Sequence, residues 1–126
     1  MVAQFLKPKG KFVFVEFHPV VWMFDDDFSK VAYNYFNAGP IIENETGTYA
    51  DKNADIRSEY VMWNHDFGEV LSSLLSENLQ LKQFQEYDYS PYNCFSHTVE
   101  VGLSRYRIEH LNNYIPLVYS LVMEKN

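Results

Sequence analysis

The sequence predicts an α/β domain of a few strands with one helix packed on them, and three observations carry that prediction. Phe12-Val13-Phe14-Val15 is an unbroken apolar block, entered through a turn at Pro8 to Gly10 and stopped at Pro19. Asp66 to Glu77 carries a single apolar stripe at helical spacing. Two further β-prone runs, Leu81–Tyr89 and Leu117–Met123, follow that helix. A strand with one wet face alternates apolar and polar residues, whereas a continuous apolar run is typical of a central parallel strand buried on both faces. Phe12 to Phe17 is therefore expected at the centre of a sheet.

Composition bounds what the chain can be. Its 126 residues suffice for one domain, and 47% hydrophobic with 21% charged residues is ordinary globular composition. The net charge is −7 and no cluster of Lys and Arg occurs, so a nucleic-acid interface, which needs a basic stripe against phosphates, is not expected. Cys94 has no second cysteine to pair with and fits a reducing cytoplasm. No apolar run approaches the ~20 residues of a membrane span. Ten Tyr and ten Phe are many for this length, which suits either an aromatic-lined cavity or a Tyr-rich sheet surface.

Taken in order, Met1 to Leu6 reads as the last turn of a helix, which is marginal without packing partners. The strand ends at Glu16-Phe17-His18-Pro19, because proline cannot donate a ladder hydrogen bond. Side chains alternate along a strand, so Glu16 and His18 share one side of its carboxyl end, the end at which open α/β sheets bind ligands. Asp25-Asp26-Asp27 lacks the spacing and the later glutamate of a calcium loop and reads as a solvated turn favouring a helix start. Asn37 to Pro40 is a breaker. Ile41–Tyr49 and Ile56–Trp63 are predicted as a hairpin or two short strands, inserted rather than part of the main sheet. In the helix, Asp66 and Glu69 make a capping-box-like start, Phe67, Val70, Leu71, Leu74 and Leu75 form the stripe, and Asn78 can take the left-handed conformation that closes it. Ser90 to Pro116 is expected to be irregular.

These words in this order resemble the carboxyl-terminal half of a class I S-adenosylmethionine-dependent methyltransferase of the bacterial small-molecule type. The resemblance rests on Leu6-Lys7-Pro8-Lys9-Gly10-Lys11, similar to that family's turn into its fifth strand but with Lys9 where glycine is usual. It rests also on Glu16-Phe17-His18-Pro19, Gly47-Thr48-Tyr49-Ala50-Asp51, Trp63-Asn64-His65, the helix-to-strand passage Glu69 to Glu86, and Ile115 to Ser120. It implies a Rossmann-like sheet of order 3-2-1-4-5-7-6, of which this chain supplies strands 5, 6 and 7, one packed helix and an inserted hairpin. The single partial domain would then divide into 1–19 (helix end, turn and strand), 20–65 (aromatic insertion over the acceptor site) and 66–126 (helix and two strands).

The family binds its cofactor on a glycine-rich loop after strand 1 and an acidic residue ending strand 2. The five glycines here are scattered, so S-adenosylmethionine is expected to bind the full-length family but not this chain alone, which is predicted inactive by itself. Strand 5 without strand 4 leaves an apolar edge, which implies a homodimer, or pairing with a missing amino-terminal half, through Phe12–Phe17. By resemblance His18 would orient or deprotonate a small-molecule methyl acceptor, while Glu16, Trp22, Tyr33, Tyr35, Tyr49, Trp63 and His65 would line its pocket. Against this stand ordinary structural roles, with His18 capping the strand, His65 assisting the helix start and the aromatics forming the insertion's own core. The four histidines show no HExxH or His-x-His spacing, and no metal site is expected. The rival reading is an autonomous, non-catalytic, dimeric α+β domain that binds a small ligand. The two differ in whether Phe12–Val15 has a parallel neighbour or only antiparallel ones.

Overall fold

The computed structural model describes residues 1–48, 51 and 53–126. A short helix α1 (Val2–Phe5) leads into β1 (Lys11–Phe17), and a hairpin follows from β2 (Ile41–Thr46) and β3 (Arg57–Met62). Then come α2 (Phe67–Ser76), β4 (Leu79–Tyr87), a second hairpin of β5 (Thr98–Gly102) and β6 (Arg105–Ile108), and finally β7 (Val118–Lys125). The main sheet has the order β1-β7-β4, and both of its ladders are antiparallel. The molecule is thus mixed α/β, with antiparallel strands in small sheets.

The turn into β1 is built by close approach. Gly10 N–H donates to the Lys7 carbonyl at 2.8 Å, and a Cβ on Gly10 would lie 2.8 Å from that same oxygen. Lys9 beside it adopts φ 62°, a left-handed conformation that costs an L residue about 1 kcal/mol or more. β1 is not the central parallel strand its unbroken apolar run suggests. Among the described residues it is an edge strand whose one neighbour, β7, is antiparallel. Its residues alternate in burial as well: Phe12 and Phe14 pack on the core, whereas Val13 and Val15 are 63% and 60% exposed. The run is apolar on both sides, but this chain covers only one of them.

Two clusters hold the fold. On one face of the sheet Leu79, Tyr119, Leu121 and Met123 are buried with Ala3, against Phe67, Leu71 and Leu74 of α2. Leu121 and Met123 are fully enclosed, and each such side chain contributes roughly 2–3 kcal/mol by leaving water. On the opposite face, toward the end of β1, Val21, Phe28, Ile108, Leu117 and Val118 form a second cluster with Phe17 and Phe95. This cluster fastens the segment after β1 and the second hairpin under the sheet.

α2 matches its pattern closely. Asp66 accepts from the Glu69 N–H at 3.0 Å as the N-cap, and Asn78 closes the C-terminal side at φ 62°. The return arm of the capping box is diverted, because the Glu69 carboxylate meets His65 Nδ1 at 2.9 Å instead. Leu75, counted in the stripe, is about half exposed. Asp25 caps a turn and not a helix, its carboxylate accepting from Ser29 and Lys30 N–H groups. The inserted hairpin forms as expected, Ile41–Thr46 against Arg57–Met62. The stretch from Ser90 to Pro116 is not irregular throughout; it contains β5 and β6, closed on itself by a bridge between Ser90 and Tyr106 and tied to the residues after β4 by a 2.6 Å ion pair from Arg107 to Asp88. No helix among the described residues is long and apolar enough to cross a membrane.

Candidate functional site

The carboxyl end of β1 gathers the polar groups of the sheet. In the register Glu16 lies opposite Tyr119, and Tyr119 opposite Glu86, so the three stand in a row across one face. One step further, His18 is 4% exposed. Its Nδ1 accepts from the Val20 N–H at 3.2 Å, which leaves the proton on Nε2, and Nε2–H donates to Glu86 Oε1 at 2.8 Å. The imidazole edge packs on Phe67 at 4.7 Å between ring centres, and Phe67 in turn lies edge-on to Tyr119 at 4.7 Å. The side chain of Glu86 is half exposed, so its second oxygen is open to an incoming group. Burial, with smaller effects from the charge of Glu16 and from Tyr35, pushes the Tyr119 hydroxyl up to about 12.

The residues expected in the acceptor pocket divide into three groups. Glu16 is exposed at the strand end, its carboxylate accepting from the Phe17 N–H at 2.8 Å. Tyr35 reaches the same region from the insertion, its hydroxyl accepting from the Phe67 N–H at 3.3 Å at the first turn of α2. Trp22 belongs to the opposite face, edge-on to Phe17 at 5.8 Å and to Phe95 at 6.2 Å. Tyr33 donates to Glu43 on β2, and that bond raises the Tyr33 hydroxyl above its ordinary value. Trp63 is 51% exposed, and His65 is exposed and bonded to Glu69. Tyr49 lies outside the described residues. The structure therefore brings Glu16, His18 and Tyr35 toward one place and leaves Trp22, Tyr33, Trp63 and His65 apart from it.

Two residues that carried no expectation shape the site. Glu86 is one; it closes the helix-to-strand passage Glu69 to Glu86, but nothing local marks it as the carboxylate that will meet a histidine 68 positions earlier. Asn64 is the other. It is buried, and its amide donates to the Trp22 carbonyl at 3.3 Å and to the Asn34 carbonyl at 2.9 Å, clamping the insertion beside α2. A signal for Asn64 exists in the sequence, since it sits inside the Trp63-Asn64-His65 word.

The surface carries further depressions. A cleft of about 950 Å³ opens between the inserted hairpin and the loop 93–96, with Glu45, Thr48, Tyr60, Asn93 and Cys94 on its walls. Burial raises the Cys94 thiol above its ordinary value, against an opposing hydrogen bond with Ser90. A smaller groove of about 350 Å³ runs along β1 on the α2 side, lined by Val2, Phe12, Phe14, Val70, Leu74 and His65. Among the described residues no group of three or more His, Cys, Asp or Glu could hold a metal ion.

Comparisons of the chain with family models, with curated proteins and with solved structures find no match.

Proposed function

We propose that the chain is the acceptor-side, carboxyl-terminal part of a class I methyltransferase acting on a small molecule, and that it does not transfer methyl groups by itself. One observation carries this reading. The sheet order β1-β7-β4, with α2 linking β1 to β4, is the order in which strands 5, 7 and 6 stand in that family's sheet. The sequence resemblance and the sheet order are independent, because the resemblance lies in local words and the order in long-range pairing. The polar row at the carboxyl end of β1 lies where such sheets bind their ligands.

In this reading the donor half would supply S-adenosylmethionine, and the residues here would bind and orient the acceptor. His18 acts through another group: both ring nitrogens are engaged, so it positions Glu86 and does not itself take a proton. The free oxygen of Glu86 and the exposed carboxylate of Glu16 are the groups able to accept one from a hydroxyl or amine, with Tyr35 and the insertion limiting access of water.

A second reading, an autonomous dimeric α+β domain that binds a small ligand without catalysis, is favoured by one observation: among the described residues β1 has only an antiparallel neighbour. The cleft of about 950 Å³ would be its ligand site. Calorimetric titration of S-adenosylmethionine separates the two. The chain alone is expected to give no binding heat. The chain co-expressed with the segment encoded immediately upstream is expected to bind. Micromolar binding by the chain alone overturns the assignment of the cofactor site to another half. Absence of binding by the co-expressed pair overturns the methyltransferase reading.

A further inference from the structure

The two edges of the main sheet are unlike. β4 carries Gln80, Lys82, Gln83 and Gln85, and its ladder slips between Leu81 and Gln83, so the strand is bulged and polar. These are the devices that keep a sheet edge from pairing with another chain. β1 has neither. His18 N–H donates to the Leu117 carbonyl and Lys125 N–H to the Gly10 carbonyl, at 2.9 and 3.0 Å. Bonded pairs alternate in an antiparallel ladder, so Phe12, Phe14 and Glu16 direct their backbone groups to β7. Lys11, Val13, Val15 and Phe17 direct theirs outward. Among the described residues only the Phe17 N–H is met there, by the Glu16 carboxylate at 2.8 Å. Apolar surface flanks the open groups on both sides: Val13 and Val15 on one face, and the groove along Phe12, Phe14, Val70 and Leu74 on the other.

We infer that this edge pairs with β1 of a second copy, antiparallel, about a two-fold axis at Val13. The charges select the direction. Lys7, Lys9 and Lys11 lie at one end of the edge and Glu16 at the other. Parallel pairing of two copies would set like charges together; antiparallel pairing sets the lysines of one copy beside Glu16 of the other. The side chains select the register. Centred on Val13, Phe12 of one copy faces Phe14 of the other, Val13 faces Val13, and the Lys11 stem covers Val15, while Glu16 falls opposite Gly10. Centred on Phe14, Glu16 would press on Phe12 and the pairing would need the Phe17 N–H that Glu16 already holds. Two such sheets join into one of six strands whose outer edges are both the guarded β4. The pairing therefore closes at two copies. It concerns the chain without a donor half, whose strand 4 would take the same edge; its readout is mass and crosslinking and needs no cofactor, so its failure is distinguishable from that of the methyltransferase reading.

The test is light scattering on the purified chain over a range of micromolar concentrations, with variants. The native chain is expected to run at twice the mass of one chain, Val13→Lys at the single mass with unchanged circular dichroism, and Leu103→Lys, at a residue 93% exposed on the second hairpin, as the native dimer. In a Cys94→Ser background, Val13→Cys should form an interchain disulfide on mild oxidation, because paired Cα atoms would stand about 5.5 Å apart. Lys11→Cys should not, because its two copies would lie roughly 14 Å apart along the strands. A native chain that is monomeric throughout, or monomeric until a polypeptide carrying a strand 4 is added, overturns the inference. So does a dimer that Val13→Lys leaves intact, or crosslinking better at position 11 than at 13.

Discussion

His18 and Glu86, 68 positions apart in sequence, meet through a single 2.8 Å hydrogen bond that joins the carboxyl ends of the two outer strands of the sheet across β7. The bond runs from a buried ring to a half-exposed carboxylate. It therefore fixes the direction of Glu86 while leaving one oxygen free.

That asymmetry gives the first expected outcome. His18→Ala leaves a cavity against Phe67 and strips the Val20 N–H of its acceptor, which should cost about 2–3 kcal/mol in urea unfolding. Glu86→Ala should cost about 1 kcal/mol, and Glu86→Gln, which keeps an acceptor oxygen, less than about 0.5 kcal/mol. Equal losses in all three would show that the carboxylate's charge matters more than its place.

Lys9 holds a left-handed backbone at φ 62°. Lys9→Gly removes the clash of Cβ with its own carbonyl, offset in part by the greater freedom of glycine in the unfolded chain. A gain of roughly 0.5–1 kcal/mol, seen as a higher urea midpoint with unchanged slope, is expected. A loss would mean that the lysine side chain contributes more than its backbone costs.

Asn64→Ala should loosen the insertion without unfolding the sheet. The substitution leaves the carbonyls of Trp22 and Asn34 without their donor, at a cost of about 1–3 kcal/mol where they are buried. Limited proteolysis should then cut faster between residues 20 and 65 and not within β4 or β7. Uniformly faster cleavage would place Asn64 in the global core instead.

Tyr119 gives a pH dependence whose sign is fixed. Its hydroxyl titrates at about 12 in the folded chain against about 10 when unfolded, so the folded state holds the proton longer. The associated stability is complete below pH ~10 and is lost as pH rises toward 12, amounting to roughly 2 kcal/mol. Chemical unfolding between pH 9 and 12 should show this fall, and Tyr119→Phe should flatten it.

What the sequence disclosed followed physical range. α2 was legible from Asp66 to Asn78 because cap, stripe and left-handed stop are local properties written within a dozen residues. The hairpin of β2 and β3 was legible for the same reason, two β-prone runs about a polar turn. β1 was legible as a strand, and its apolar run suggested the centre of a sheet where this chain leaves it at an edge: apolarity records that both its faces suit burial, and nothing local says whether a neighbour is present. β5 and β6 were missed because Thr98–Gly102 and Arg105–Ile108 are short, the second of them half charged, and they are held by Ile108 packing with Leu117 beneath the sheet. At the site, Glu16 and His18 could be placed on one side by strand alternation alone. Their partner Glu86 could not, since the pairing depends on β7 arriving between two strands that never touch.

The position of β7 has a consequence for how the molecule is made. It is the middle strand of the main sheet and the last of the three in chain order. During synthesis β1 and β4 leave the ribosome before β7, the neighbour they share, and Phe12 to Val15 wait for it while more than a hundred residues are added. No part of the main sheet can form until β7 emerges, and then both ladders form together. At translation rates of roughly 5–20 residues per second this is an interval of several seconds in which an apolar segment is open to chaperones, or to the same segment on a neighbouring nascent chain.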